Sequence, residues 1–544
     1  MTAATEARPL ADVTMDDLRA LIAGLEDLSD RERAILNALA ESYGTLLDAL
    51  QDKNATIAKL RSLLFGASTE TRENVRRQTG KEPPPEATAP TEGDSASAKK
   101  AKRKGHGRLP ASAYHGAETV EIPHESLKAG DPCPKPFCSG TLYRKEPIVF
   151  IRICGCSPFA ATRYEQDRLR CGLCGEIFKA VLPPEVGTDE SKFDESATSM
   201  TAVLRYGYGL PMNRIEDLQD SFGAPFPAST QWDLLNSGAE RIRPVIQELV
   251  RQAAQGSVVM NDDTPMKILS FLVEKRRRKE RGEKPPKRTG IYTSGVVSDL
   301  ADGRRIVLYF TGNRHAGENL ARVLSAREAG RTPPIQMCDG LRHNTPAELE
   351  VILSNCLVHA RRHFVDIASS FPDEVDKVIN DLAAVYRNDA LTRGMSAADR
   401  LRFHQEHSAS VMAELKAWMD EQISEKKAEP NSRLGKAIDY SLERWKQLTL
   451  FLREPGAPLD NSLTERMLKR AIRHRNNSLF YKTENGAEVG DLYMSLIATA
   501  KLAGADPFLY LNALQRHATA VASTPAEWMP WNYGETLTHA GPGP

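Results

Sequence analysis

Apolar residues recur every seventh position from Leu36, at Tyr43, Leu50, Ile57 and Leu64, with a second seam at Leu39, Leu46, Lys53 and Leu60. Four heptads with one polar break predict a coiled coil, and so self-association; the alternative is an amphipathic helix packed on its own chain. A lysine in the seam would help fix register at some cost in stability. The pattern stops at residue 69. Up to residue 97 the composition turns to Pro, Glu, Thr and Ala, as in PPPEATAPTEGDSAS, with too little apolar surface to offset ordering entropy, which predicts a mobile linker. Helical spacing returns over 195–255. There PMNRIEDLQDSFGAPFPASTQWDLLNSGAERI reads as a helix, a glycine-containing turn and a second helix capped near Ser229. That fits either a DNA-binding helix-turn-helix or a plain helical hairpin, since few cations precede Arg241 on the second helix.

From Val258 the period shortens to that of strands. VVMNDDTPMKIL, IYTSGVVSDL and RIVLYFTG predict an antiparallel meander. ENLARVLSA follows as a helix, PPIQMCDG as a strand ending at Asp339 and Gly340, PAELEVIL as a helix, NCLVH as a buried strand, and ARRHFVDIA opens a further helix. This βββαβαβα order is that of a ribonuclease-H-like fold, in which acids on the first and fourth strands lie side by side. A long helical stretch, with LKAWMDEQI and LGKAIDYSLERWKQLTLFL, reads as an insertion. The core resumes at Asp460, Asn461 and Ser462, all able to cap the helix that carries Glu465. The expected fold class is therefore multidomain α+β. The expected divisions are a coiled-coil region 1–66, a linker with a basic arm 67–108, a zinc-binding module 109–184 and a helical domain 185–255. A catalytic core 256–370, a helical insertion 371–455, the rest of the core 456–520 and a tail 521–544 follow.

With 72 basic and 72 acidic side chains the formal charge is zero, so no global field attracts a polyanion and any nucleic-acid surface must be local. Three stretches are candidates. KKAKRKGHGR supplies Lys99, Lys100, Lys102, Arg103, Lys104 and Arg108 on a flexible arm, suited to phosphate contact or else a solvated tail. KRRRKERGEKPPKR, residues 275–288, is expected as a loop between the first two strands, able to clasp phosphates or simply a mobile hairpin extension. Arg466, Lys469, Arg470 and Arg473, with Arg475 beyond, share the helix of Glu465. No apolar run is long enough to span a bilayer and no signal peptide opens the chain, so a soluble, cytoplasmic protein is expected. The absence of a Gly-Lys-Ser or Gly-Lys-Thr phosphate loop leaves an ATP-driven motor unsupported.

Eight cysteines in 544 residues are too few for a disulfide framework. Cys133-x4-Cys138 and Cys171-x2-Cys174, each beside glycine, instead suit four thiolates around one structural Zn²⁺ in a ribbon-like module, the alternative being buried free thiols. The strand-like alternation of Cys154 and Cys156 favours a structural role. The central chemistry lies in Asp262, Asp339 and Glu465. Phosphodiester cleavage needs an activated water or hydroxyl and a neutralised leaving oxygen, and two Mg²⁺ (or Mn²⁺) ions held by shared carboxylates supply both. Cys356, His359 and His363 have metal-like spacing but lack the water and base of a catalytic zinc motif. His359, Arg361 and Arg362 are expected to face the DNA backbone or orient the active site.

LRSLLFG, GHGRLP, the paired cysteine knuckles, NDDTP, CLVHARRHF, LDNSLTER, RNNSLF and LYMSLIATAKLAGADPFLYL follow one another in an order that resembles the IS66-family transposases, of the DDE class. The resemblance implies a DDE triad at Asp262, Asp339 and Glu465, with Asp263 where the family usually has Glu. RNNSLF stands where Arg-Lys-Asn-Trp-Leu-Phe is usual, and LDNS where Asp-Asn-Asn is common. The implied activity is Mg²⁺-dependent cleavage of an insertion sequence's ends and strand transfer into target DNA. The implied partners are terminal inverted repeats, target DNA, further copies of the chain in a homodimer or higher oligomer, and accessory proteins from the same element. A non-catalytic DNA-binding regulator, or a structure-specific nuclease on the same fold, are the alternatives.

Overall fold

The structure is a computed structural model, and the described residues are 119, 122–135, 138–145, 149, 156–170, 177–181, 192–284, 288, 290–347 and 349–540. The expected coiled coil, the linker and basic arm with Lys99, Lys100, Lys102, Arg103, Lys104 and Arg108, and the second cysteine pair, Cys171 and Cys174, lie outside the described residues.

A short hairpin, β1 (Arg168–Arg170) and β2 (Ile177–Lys179), precedes helices α1 (Glu195–Ala202), α2 (Met212–Ser221) and α3 (Ala228–Ala253), with one π-helical turn at Val203–Gly207. Then come β3 (Val258–Pro265), α4 (Leu269–Glu280), β4 (Tyr292–Asp299), β5 (Arg305–Gly312), α5 (Ala316–Leu324), β6 (Ile335–Cys338) and β7 (Ile352–Asn355). The helices α6 (Leu357–Val365), α7 (Pro372–Leu391), α8 (Ala397–His407), α9 (Ala409–Ser424), α10 (Arg433–Glu443) and α11 (Trp445–Leu448) follow. The chain ends with α12 (Ser462–Ser478), α13 (Glu484–Leu502), α14 (Pro507–Arg516), α15 (Ala518–Ser523) and α16 (Tyr533–Ala540). No helix among the described residues is long and apolar enough to cross a membrane.

Two compact units emerge, residues 1–84 with 363–386, and residues 85–362 with 387–544. The described part of the first is mostly α7, whose buried Val375, Val378, Ile379, Leu382 and Val385 recur at helical spacing. The second is a mixed α/β unit around a five-stranded sheet ordered β5-β4-β3-β6-β7. β3, β4 and β5 pair antiparallel, while β3, β6 and β7 run parallel. Val258, Val259 and Met260 are buried in the middle of the sheet, as a strand covered on both faces requires.

The edge strand β5 is closed by a helix instead of another strand. Asp491, Ser495 and Thr499 lie four residues apart on α13, and every second residue of β5 offers them an amide. Thr311 N donates to Asp491 Oδ2 at 2.5 Å, Tyr309 N to Ser495 Oγ at 2.9 Å, and Val307 N to Thr499 Oγ1 at 3.1 Å. A polar stripe one helical turn apart thus replaces a ladder partner and leaves no free amide row for another chain. From Gly486 to Ala500 every residue of α13 but Glu488 is buried.

Three local expectations fail. PAELEVIL is not a helix, because Ile352–Asn355 pair with Ile335–Cys338 and the ladder claims its apolar end. NCLVH is consequently not the last strand: β7 ends at Asn355, and Leu357 opens α6. The basic segment after β3 is largely the helix α4, built from strong helix formers with Glu274–Arg278 and Arg276–Glu280 pairs one turn apart. In addition, α3 begins after Pro227, two residues before the expected cap.

Burial pushes the Asp491 carboxyl up to about 7, against the two donors of Thr311. Its stability contribution is therefore full below the free-aspartate range near pH 4 and is lost as the pH rises through about 7. Asp491→Asn, which mimics the protonated acid, should flatten the fall in melting temperature across this window. Asp491→Ala should cost about 1–3 kcal/mol by orphaning the Thr311 amide. Thermal unfolding followed by circular dichroism from pH 4.5 to 8 would check both.

Candidate active site

Met260 of β3 stands opposite Met337 of β6 in a parallel pair. Asp262 and Asp339 lie two residues beyond each, so they sit abreast at the carboxyl ends of neighbouring strands, on the same side by the alternation of the pleat. The turn after Asp339 needs Gly340, whose φ is +81°. Leu341 N and Asn344 Nδ2 donate to Asp339 Oδ1 at 3.0 and 2.7 Å, and the Tyr440 hydroxyl donates to its carbonyl at 2.8 Å.

Glu465 arrives on the first turn of α12. That helix can lie close to the sheet because its neighbour on β4, Gly295, has no side chain. A Cβ there would come within 3.0 Å of Leu468, and Gly295 is the register partner of Asp262. Further along α12, His474 is buried against Tyr481 and Tyr206, with ring centroids at 4.5 and 6.0 Å, and burial pushes its imidazole down to about 3. The helix is thus docked by apolar and aromatic contact. Glu465 Oε1 is buried with no hydrogen-bond partner and lies 3.7 Å from His359 Nε2.

The three acids feel one another. Burial pushes the Asp262 carboxyl up to about 7, and the charges of Asp339, Glu465 and Asp263 add to the rise, against the Asp263 amide that donates to its Oδ1 at 2.8 Å. Asp263 is engaged elsewhere. It accepts from Ser294 Oγ at 2.7 Å and Ala316 N at 3.0 Å, and pairs with His315 Nδ1 at 3.0 Å. Carboxylates gathered in a half-buried pocket form an oxygen donor set that could hold a hard divalent ion.

A group of buried amides absent from the expected site fixes this end of the sheet. Asn261 and Gln336 both donate to the Asn344 carbonyl at 2.7 Å, and Gln336 also donates to Asn261 Oδ1 at 2.7 Å. Asn461 Nδ2 donates to the Asn261 carbonyl at 3.1 Å, and Asn461 N to Cys356 Sγ at 3.3 Å. Asn344 also holds Asp339, so one network joins the strand of Asp262, the turn of Asp339 and the start of the Glu465 helix. The available signal was a lone amide inside each apolar strand, in VVMND and IQMCD.

The remaining candidates divide. Cys356 and His359 converge with Glu465, their ligand-type atoms all within 4.8 Å. Arg466, Lys469 and Arg473 form an exposed stripe on α12. Arg470 instead donates to the Gly207 carbonyl at 3.3 Å, and Arg475 to Thr264 Oγ1 at 3.0 Å and to the Pro265 carbonyl. Arg361 is half-buried and Arg362 exposed. In the cysteine knuckle, Cys133 N donates to the Gly140 carbonyl at 2.8 Å. The Gly140 amide and the Cys133 thiol beside it lower the Cys138 thiol below its usual range.

Comparison with known families decides the affiliation. The pattern described as "Transposase IS66 family" matches residues 190–489, more than half of the chain and both arms of the acid site. The chain belongs to the IS66 transposase family. Among its relatives is uncharacterized protein y4jD of Sinorhizobium fredii, 24% identical over 504 residues, covering 89% of this chain and 94% of that one. Uncharacterized protein y4hP of the same organism is 30% identical over 192 residues, or 33% and 34% of the two chains. The IS66 match begins before α1 and ends in the first turns of α13, so it takes in the sheet and the intervening helices but stops short of Asp491, Ser495 and Thr499.

Asn461→Ala should leave the buried Asn261 carbonyl without its donor and destabilise the fold by about 1–3 kcal/mol. Urea unfolding would measure the loss. Hydrogen exchange should place it at the first turn of α12 and not in α13.

Proposed function

We propose that this chain is the transposase of an insertion sequence, cutting the element's DNA ends and joining the freed 3′ hydroxyls to target DNA at a site made by Asp262, Asp339 and Glu465. The single observation that carries the reading is the placement of Asp262 and Asp339 just beyond the paired residues Met260 and Met337 of neighbouring parallel strands, with Glu465 on the first turn of the helix packed on that sheet. A sheet ordered β5-β4-β3-β6-β7, with three antiparallel and then two parallel strands, supports a ribonuclease-H-like core. Family membership supports the DNA substrate.

The oxygens of the three acids, including the orphaned Glu465 Oε1, fit Mg²⁺ or Mn²⁺ better than a softer ion. The chemistry such ions supply when bound is activation of an attacking oxygen and relief of charge on the leaving one. The chain's own part is positional. Asn344 and the Leu341 amide fix the Asp339 carboxylate through Oδ1, leaving Oδ2 for the site. Asn461 ties the start of α12 to β3 and so sets where Glu465 enters. His359 Nε2, at 3.7 Å from Glu465, can hold a proton or a phosphate oxygen beside it. The exposed Arg466, Lys469 and Arg473 would meet the DNA backbone.

Elsewhere, Cys133, Cys138, Cys171 and Cys174 would hold one structural Zn²⁺. With the basic arm, that module would recognise the terminal repeats, while the heptads of 36–64 would pair two protomers.

Asp339→Asn should abolish Mg²⁺-dependent nicking of an end duplex and leave duplex affinity within about twofold, since one neutralised acid removes a ligand and no cation. Nicking at the wild-type rate would overturn the assignment. With pre-cut ends the wild-type chain should also join strands; cutting without joining would make it a nuclease alone.

A further inference from the structure

We infer that α4 is a phosphate-gripping arm that holds duplex DNA beside the three acids through contacts indifferent to base sequence. The inference rests on the DNA-processing reading above and assigns a part of the chain which that reading leaves unused.

α4 is a 12-residue helix that buries no residue at all. At 1.5 Å per residue it reaches about 18 Å. Only Leu269, Phe271, Glu274 and Arg278 are half-buried, so packing holds this helix weakly and its cationic sequence answers to something outside the fold. Its root, in contrast, is fixed. Leu269 N and Ser270 N donate to the carbonyls of Tyr481 and Lys482 at 2.9 and 3.1 Å, and Tyr481 N donates to the Lys267 carbonyl at 2.9 Å. Arg475 of α12 donates to the Pro265 carbonyl just before. The arm therefore leaves the carboxyl end of the strand that carries Asp262 and is tied to the segment just after α12, the helix whose first turn carries Glu465.

Its charge suits a polyanion. Lys275, Arg276, Arg277, Arg278 and Lys279 are consecutive, and at 100° per residue they encircle the helix. Glu280 pairs with Arg276 at 3.0 Å, and Glu274 pairs with Arg278 at 2.9 Å. Pairs this exposed contribute little and exchange readily for phosphate. Lys275, Arg277 and Lys279 make no ion pair among the described residues. A shallow depression of about 480 Å³ runs alongside, lined by Leu272, Lys275, Arg276, Lys279, Gly282 and Glu283. Three cations and one acid line it, a charge balance that suits the phosphate backbone of nucleic acid. Cations on every side of the helix, with no single face aimed at base edges, suit contact with the phosphate backbone over readout of sequence.

The test is duplex affinity of the full chain over a range of salt concentrations. Lys275→Gln, Arg277→Gln and Lys279→Gln together should make the slope of log affinity against log salt shallower by up to about 2.7. Affinity should fall equally for an end duplex and an unrelated one. A second variant, Glu274→Gln with Glu280→Gln, should tighten binding, which a damaged fold could not imitate. An unchanged slope in the first variant, or a loss confined to the end duplex, would overturn the inference. A chain that shows the expected slopes but never nicks would overturn the catalytic reading and leave the arm standing.

Discussion

Three carboxylates gathered at the end of a sheet repel one another, so something other than their own interactions must hold them together. The buried amides of Asn261, Gln336, Asn344 and Asn461 do this. Each is inaccessible to water, and each makes a hydrogen bond that ends on a neighbouring strand, turn or helix. In a low-dielectric interior such bonds are strong when made and expensive when broken, so the network resists the spreading that electrostatic repulsion favours. The price is specificity of residue type: a leucine of similar size would fill the space of any one of them and release an acid from its place.

The same logic operates at the far edge of the sheet, where α13 uses Asp491, Ser495 and Thr499 in place of a sixth strand. The two devices are mechanically linked. β5 holds β4, and β4 presents Gly295 to α12, so a loose edge would shift the surface on which the Glu465 helix rests. Apolar burial makes these layers adhere, but it is non-directional and would tolerate a slip. The polar contacts set the register, and register decides whether Asp262 and Asp339 stand abreast.

Much of this arrangement was legible in the chain. The strand periods at Val258, Ile291 and Arg305 were clear because alternation and β-branched residues agree there, and Asp262, Asp339 and Glu465 stood out as acids at element ends. The segment from Pro346 to His359 was misread because its local pattern suits a helix as well as a strand, and only pairing with Ile335–Cys338 decides between them. α4 was hidden for the opposite reason: its charge suggested a loop, while helix propensity and one-turn ion pairs made it regular. The amide network was invisible because a single Asn or Gln in an apolar run carries no periodic signal. Its partners lie as much as 200 positions apart.

The cations of α12 show where sequence spacing stops being informative. Arg466, Lys469, Arg470 and Arg473 are all three or four residues from a neighbour and would share a face on a bare helix. Packing on β4 divides them. Arg470 turns to the Gly207 carbonyl and Arg475 to Pro265, while Arg466, Lys469 and Arg473 stay exposed. An inward arginine satisfies a carbonyl at a helix end or strand end, which is a structural duty that lysine, without a planar fork, performs less well. The outward cations have no such geometric demand and can serve a phosphate backbone with either side chain. Net neutrality of the chain is thus compatible with a local run of exposed cations on the helix that carries Glu465, while elsewhere cations are matched by one-turn pairs such as Glu274–Arg278.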